Sequence, residues 1–317
     1  MKSIIGVFTP SFKGAFKLWL KILKIMIPIS IIVKIMEAIG LITVFGKLLE
    51  PIMVFVGLPG LMGLVWAITI ATNLWAGALL FVSLASLTAM SMAQVTILGI
   101  LMLMAHGLPL EIRMVQKCGV GAIFSLILRI FSALSLAYAF NYIFLAFNLF
   151  QTPANIVLGS SSNSGNNLFD WALHQGKSYI FVLIMLLGLV LLLDLLKKYG
   201  LMHKLGMVFA PYLSIIGVSK KCAPVTLVGM TLGLVYGGAL LLKEIESGEL
   251  DSHDILLSII SMNLFHSIIE DTIIVVLMGG SLFWVLPIRF IFMAFIMRII
   301  LFLIRDNKEI VYKLIRI

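Results

Sequence analysis

Shifted by 160 residues, the chain falls on itself at positions where coincidence is least expected. Gly40-Leu41 lands on Gly200-Leu201, Gly46 on Gly206, Pro51 on Pro211, Gly57 on Gly217, His106 on His266 and Arg129 on Arg289, and Glu111 meets Asp271 in the same register. With one extra residue in the second copy, Trp75-Ala-Gly-Ala-Leu-Leu80 falls on Tyr236-Gly-Gly-Ala-Leu-Leu241. Apolar matches carry little weight in a chain that is 62% hydrophobic, whereas agreement at Gly, Pro, His, acid and Arg does carry weight. The sequence reads as one half duplicated, residues 1–150 and 177–317, around a polar linker at 151–176.

The composition places both halves in a bilayer. Charged residues make up only 12% of the chain, about half the share of a soluble domain, and the mean hydropathy is +1.16. Leu61–Leu84, Val120–Phe147, Tyr179–Leu193 and Leu282–Ile304 are apolar runs of roughly the 20 residues that a crossing needs. The fold class is therefore all-α and polytopic. The net charge of +9 then speaks for orientation and lipid headgroups, and no nucleic-acid-reading motif accompanies it. Near the N-terminus, Lys13, Lys17, Lys21 and Lys24 recur beside Phe16, Trp19 and Leu20, a pattern expected to lie along the headgroups before the chain enters the bilayer. No small-residue cleavage site follows, so the segment is expected to be retained. Cys118 and Cys222 adjoin basic residues and fit free thiols on the reducing side.

Charge also gives a topology. Lys and Arg gather at the N-terminus, at Arg113 and Lys117, at Lys197-Lys198 with Lys204, at Lys220-Lys221, and from Arg305 to Arg316. All are expected on the cytoplasmic side of the inner membrane, with both termini there, while the linker carries no Lys or Arg and is expected outside. The first copy then begins inside and ends outside, and the second does the reverse, which requires inverted-topology repeats with an odd number of crossings each. Each copy shows four apolar segments, so one of them must turn back. Gly107 and Pro109 interrupt the first copy just after His106, which favours re-entrant hairpins at Gln94–Lys117 and Ile255–Gly280; the competing layout makes both segments full spans and leaves another helix of each copy on the interface, and charge does not decide between them. Leu41–Gly57 and Leu201–Gly217 are expected to be connectors lying on the membrane surface.

Polar groups in so apolar a chain need a reason, since a charge at mid-bilayer costs about 2.5–3.5 kcal/mol on insertion scales. His106 and Glu111 in the first copy, and His266, Glu270 and Asp271 in the second, supply two imidazoles and three carboxylates for one interface. If the second stretch is helical, His266 and Glu270 share a face. Three readings stay open. The carboxylates are neutralised by charge-pairing, Glu111 with Arg129 and Asp271 with Arg289; or the cluster relays protons or cations; or it binds a transition metal. Asn73 is a candidate solute contact, and Gly77, Gly237 and Gly238 are small residues for close helix packing.

Lys21-Ile-Leu-Lys-Ile-Met-Ile-Pro28, Tyr236-Gly-Gly-Ala-Leu-Leu-Leu-Lys-Glu244 and Phe265-His-Ser-Ile-Ile-Glu-Asp-Thr272 resemble the nucleoside-recognition or Gate-domain membrane proteins. That superfamily joins spore maturation proteins with the gate regions of the ferrous-iron permease and of concentrative nucleoside transporters. The resemblance covers nearly the whole chain and implies one Gate-like unit per copy. The cytosolic GTPase portion of the iron permease has no counterpart here.

The expected function is a permease for a small solute, passive or coupled to protons or ions. The alternative is a non-transporting assembly scaffold, and a weaker third reading is an intramembrane metalloenzyme. No His-Glu-x-x-His, Gly-x-Ser-x-Gly or Walker motif is present, so neither an enzyme nor a cofactor is expected. The expected partners are the lipid bilayer and a small solute or cation, with homo-oligomerisation left open.

Overall fold

Long helices and short ones alternate along the chain, and the short ones come in pairs. The structure, a computed structural model, describes residues 2–85, 87–158, 168–201, 211–248 and 250–304. The basic cluster from Arg305 to Arg316, Lys204, Gly206 and part of the linker lie outside the described residues. Among the described residues there is no strand, and the all-α class holds.

In the first copy, α1 (Lys2–Ala38) is followed by α2 (Leu41–Phe55), α3 (Met62–Ala71), α4 (Leu74–Leu84), α5 (Met92–Met104), α6 (Leu108–Lys117) and α7 (Ala122–Ala146). The second copy has α8 (Leu168–Lys198), α9 (Ala223–Leu232), α10 (Leu234–Glu246), α11 (Ser252–Leu264), α12 (Glu270–Leu277) and α13 (Arg289–Ile304). A π-helical stretch, Trp284–Ile288, leads into α13 and contains Pro287, whose missing N–H cannot close an ordinary helical turn.

The glycines matched in the sequence stand where the backbone needs them. Gly40 and Gly200 end the two long helices at φ 74° and 67°, and Gly57 and Gly217 turn the next connector at φ 75° and 90°. A side chain is strained at these left-handed angles. After Gly40, α2 leaves α1 at 99°. The two helices are therefore not one straight span. The N-terminal segment departs from expectation, because α1 is one helix that packs along α8 rather than a headgroup-bound stretch followed by a span.

α1 and α8 run antiparallel. Ser11 donates to Asp194, Gly14 faces Val190, and Ser30 pairs with the Tyr179 hydroxyl, so rising numbers in one helix meet falling numbers in the other. The indole of Trp19 donates to the carbonyl of Tyr179 at 2.8 Å, across a separation of 160 residues. Ile22 and Met26 are buried, as are their shifted counterparts Val182 and Leu186. Partners are also exchanged between copies. α6 packs on α10 and α4 on α12, while α7 packs on α11 and the π-helical stretch on α5.

The re-entrant element is not the segment expected. α5 and α6 together make one apolar run, Met92–Lys117, of 26 residues with 83% of its apolar window buried. It is a broken run, long and apolar enough to cross a membrane, whose two halves do not fold back on one another. The chain turns back at α3/α4 and α9/α10 instead. A Cβ on Gly77 would collide with Thr69, and one on Gly237 with the backbone of Gly229, four residues either side of the break in each pair. In a straight helix, residues eight apart are about 12 Å apart, so both pairs are hairpins. Leu61–Leu84, expected as a crossing run, is thus the segment that folds back in the first copy, because hydropathy is the same for a chain that crosses and one that turns. The hairpin arms, at 10–13 residues, are too short to span alone. The hairpin contact keeps the 160-residue register, so Gly77 corresponds to Gly237 rather than Gly238. Trp75 and Tyr236 are accordingly not equivalent: Trp75 is buried and Tyr236 exposed.

Candidate functional site

The broken span of each copy ends its first half in the same way. α5 starts with a capping box between Ser91 and Gln94 and stops at Ala105, at φ −137° and ψ 70°; α11 starts on the Asp251 cap and stops at Phe265, at φ −147° and ψ 84°. Two residues on, Gly107 and Ser267 both take left-handed angles, φ 56° and 52°. The break thus survives a change of residue type. A half-helix that ends inside the membrane leaves carbonyl oxygens without partners and a negative dipole end.

Arg129 and Arg289, both fully buried, answer that need. Arg129 donates Nε to Met104 O at 2.8 Å and Nη2 to His106 O at 3.1 Å. Arg289 donates Nε to Leu264 O at 3.1 Å and Nη2 to His266 O at 3.4 Å, and also reaches Leu103 O in the other copy at 3.3 Å. Both are clamps on the broken helix ends. Arg129 also makes the expected ion pair with Glu111. The corresponding pair of Arg289 with Asp271 is not formed among the described residues: Arg289 Nη1 and Asp271 Oδ2 are both buried without a hydrogen bond.

Between the clamps lies the cluster. His106 Nε2 is 3.1 Å from His266 Nε2, and the side chains meet in the same 160-residue register as Trp19 and Tyr179. His106 Nε2 is 3.4 Å from Asp271 Oδ2 and 3.6 Å from Glu111 Oε1, which in turn is 3.3 Å from His266 Nε2. His106, His266, Glu111 and Asp271 are thus brought together as the sequence implied. Glu270 stands apart, its Oε1 taking the Trp75 indole N–H at 3.0 Å. The residues between His266 and Glu270 are non-helical, so those two side chains do not share a helix face. Trp75 was missed as a site residue; an indole beside a duplicated small-residue block was its only signal.

Asn73 caps α4, its Oδ1 accepting the Ala76 N–H at 2.9 Å. This local role satisfies the side-chain oxygen without a solute. The residue still lines a cavity of about 330 Å³ where the hairpin tips, Thr72 and Gly233, face the breaks at His106 and Ser267. Glu270 and Asp271 also line it. Gly77 and Gly237 serve helix packing inside the hairpins, while Gly238 sits against Met114 of α6 and offers its carbonyl to the Cys118 thiol. Cys118 and Cys222 are free and buried. Burial pushes the Cys118 thiol up to about 11, which keeps it protonated.

The chain is 22% identical to "Uncharacterized membrane protein YvoD" of Bacillus subtilis (strain 168) over 285 residues, 89% of this chain and 90% of that protein. No family model and no solved structure matches. The similarity supports a membrane protein, in agreement with the apolar helices.

Proposed function

We propose that the chain is a permease of the cell membrane, built from two inverted repeats, that binds a small solute or cation in the cavity between its hairpin tips and broken spans. The carrying observation is that cavity: polar half-helix ends and the ionisable cluster converge on it from both copies. Inverted-repeat transporters use discontinuous helices in this way, presenting backbone dipoles to a ligand near the midplane. The antiparallel course of α1 and α8 supports the inversion, because a two-fold axis relating antiparallel spans lies in the membrane plane.

Charge placement agrees with this reading. With α1, α5–α6 and α7 crossing and α3/α4 turning back, the first copy crosses three times; the second does the same through α8, α11–α12 and α13. Arg113, Lys117, Lys198, Lys220 and Lys221 then share the cytoplasmic side with the N-terminus. The hairpins enter from opposite faces and meet at the cavity. A Gate-domain-like protein is expected to have such tips, and no catalytic role is proposed for them. The scaffold alternative calls for a dry, fully paired core. The cavity and the unpaired Asp271 Oδ2 favour the permease.

Sealed vesicles containing the protein and a pH-sensitive dye, energised by a potassium diffusion potential, are expected to admit protons. His266→Ala and Glu270→Gln are expected to lose that flux while eluting as folded protein. A wild-type protein that admits neither protons nor divalent cations, together with a Thr72→Cys variant inert to an impermeant maleimide from both sides, would favour the scaffold instead.

A further inference from the structure

The polar atoms at the centre of the cluster face one another as acceptors. The Nδ1 atoms of His106 and His266 lie 3.1 Å and 2.7 Å from the carbonyl oxygens of Met102 and Met262. A carbonyl only accepts, so each Nδ1 carries a ring proton, and a ring with no second proton presents a lone pair at Nε2. The two Nε2 atoms are 3.1 Å apart. Around them stand Asp271 Oδ2 and Glu111 Oε1, also acceptors, and Asp271 Oδ2 is buried with no hydrogen-bond donor. Four acceptors around one point repel one another unless a proton or a metal ion lies between them.

We infer that His106 Nε2, His266 Nε2 and Asp271 Oδ2 form a binding site for one divalent transition-metal ion, with Glu111 Oε1 as an adjoining fourth oxygen. The three named atoms lie within 4.8 Å of one another. Metal–ligand bonds of 2.0–2.2 Å in a tetrahedron put donors about 3.3 Å apart; His106, His266 and Glu111 stand 3.1, 3.3 and 3.6 Å from one another and Asp271 is 3.4 Å from His106, while Asp271 and His266 lie further apart, within 4.8 Å, and would draw together around an ion. The second shell is in place as well. Each imidazole gives its other N–H to a backbone carbonyl, which fixes the tautomer that ligates. Arg129 takes the second oxygen of Glu111 and so aims the first at the site.

The ligand set selects the class of ion. Two imidazoles exclude Mg²⁺ and Ca²⁺, which prefer oxygen, and the absence of thiolate or thioether donors from the cluster disfavours Cu(I). A borderline divalent ion such as Zn²⁺ or Co²⁺ fits. This inference rests on the permease reading only where it names the cation that the protein moves; binding itself does not depend on transport.

The test uses the full chain, purified in detergent and stripped with chelator, titrated with Co²⁺. Expected is one ion per chain, with the intense visible bands of a four-coordinate ion. His106→Ala and His266→Ala should each weaken binding by more than the roughly 10–100-fold that losing an outer-shell partner costs, while His253→Ala, a histidine outside the cluster, should not. A variant that fails to elute as a folded species is replaced by the Gln substitution at the same position. No binding by the wild type, or binding indifferent to both cluster histidines, overturns the site and leaves a shared proton as its occupant. Vesicles separate the two readings: proton flux without Co²⁺ binding rejects the metal and keeps the permease, and binding without uptake of Zn²⁺ or protons keeps the metal and rejects the permease.

Discussion

Arg129→Met is expected to cost about 3–5 kcal/mol of stability, because it strands the Glu111 carboxylate in the core as well as freeing two carbonyls. Arg289→Met should cost less, about 2 kcal/mol, since it frees three carbonyls and hydrogen bonds inside a membrane protein average about 0.6 kcal/mol each. The ranking follows from the asymmetry of the two sites: among the described residues, only the first arginine has a carboxylate partner. Adding Glu111→Leu to Arg129→Met should return most of the loss, as replacing both members of a buried ion pair usually does. Lysine at position 129 should recover only part, for one ammonium cannot present a planar fork to a carboxylate and two carbonyls at once. Unfolding in mixed micelles measures all four variants. Equal losses at the two arginines, or no recovery in the double variant, would show that the ion pair is not what holds this end of the broken helix.

Gly237→Ala is the second large effect, expected at about 1–3 kcal/mol as an overpacked contact. The new methyl group would strike the backbone of Gly229 in the facing arm and Met262 Sδ at 2.6 Å, and a backbone cannot be trimmed to make room. The arms of the second hairpin must part. Gly77→Ala meets mainly the Thr69 side chain, so Thr69→Ala should relieve it in part, with Met102 Cε at 3.1 Å left to adjust. Melting temperatures in detergent decide it. If Thr69→Ala gives no relief, or if Gly237→Ala is neutral, the helices are not folded back on one another as described.

These two cases show what the sequence could and could not carry. Arg129 and Arg289 were legible as a pair because the duplication set them 160 residues apart, but symmetry also suggested an Asp271 partner that Arg289 lacks. Its guanidinium is occupied instead by carbonyls from both copies, and backbone acceptors leave no mark in a sequence. His266 and Glu270 looked like one helix face because nothing at Ser267 announces a left-handed residue; in the first copy Gly107 does. The hairpins were missed for a related reason. Hydropathy is the same for a chain that crosses and one that turns back, and the useful cue was spacing: Gly229 and Gly237 lie four residues on either side of Gly233. Asn73 shows the two roles that one residue type can hide: its oxygen serves the first turn of α4, and the residue also lines the cavity. The gathering of His106, His266, Glu111 and Asp271 was legible because duplicated polar residues in lipid have few places to go.

The central claim is that the second copy sits upside down relative to the first. Ile39 and Tyr199 occupy equivalent exposed turns, 62% and 59% exposed, after α1 and α8. Cysteine placed at one or the other, with the buried native thiols as a blank, can be challenged in intact cells with an impermeant maleimide. The account predicts that Ile39→Cys reacts from outside and that Tyr199→Cys reacts only once the membrane is opened. Labelling of both from the same side would contradict it.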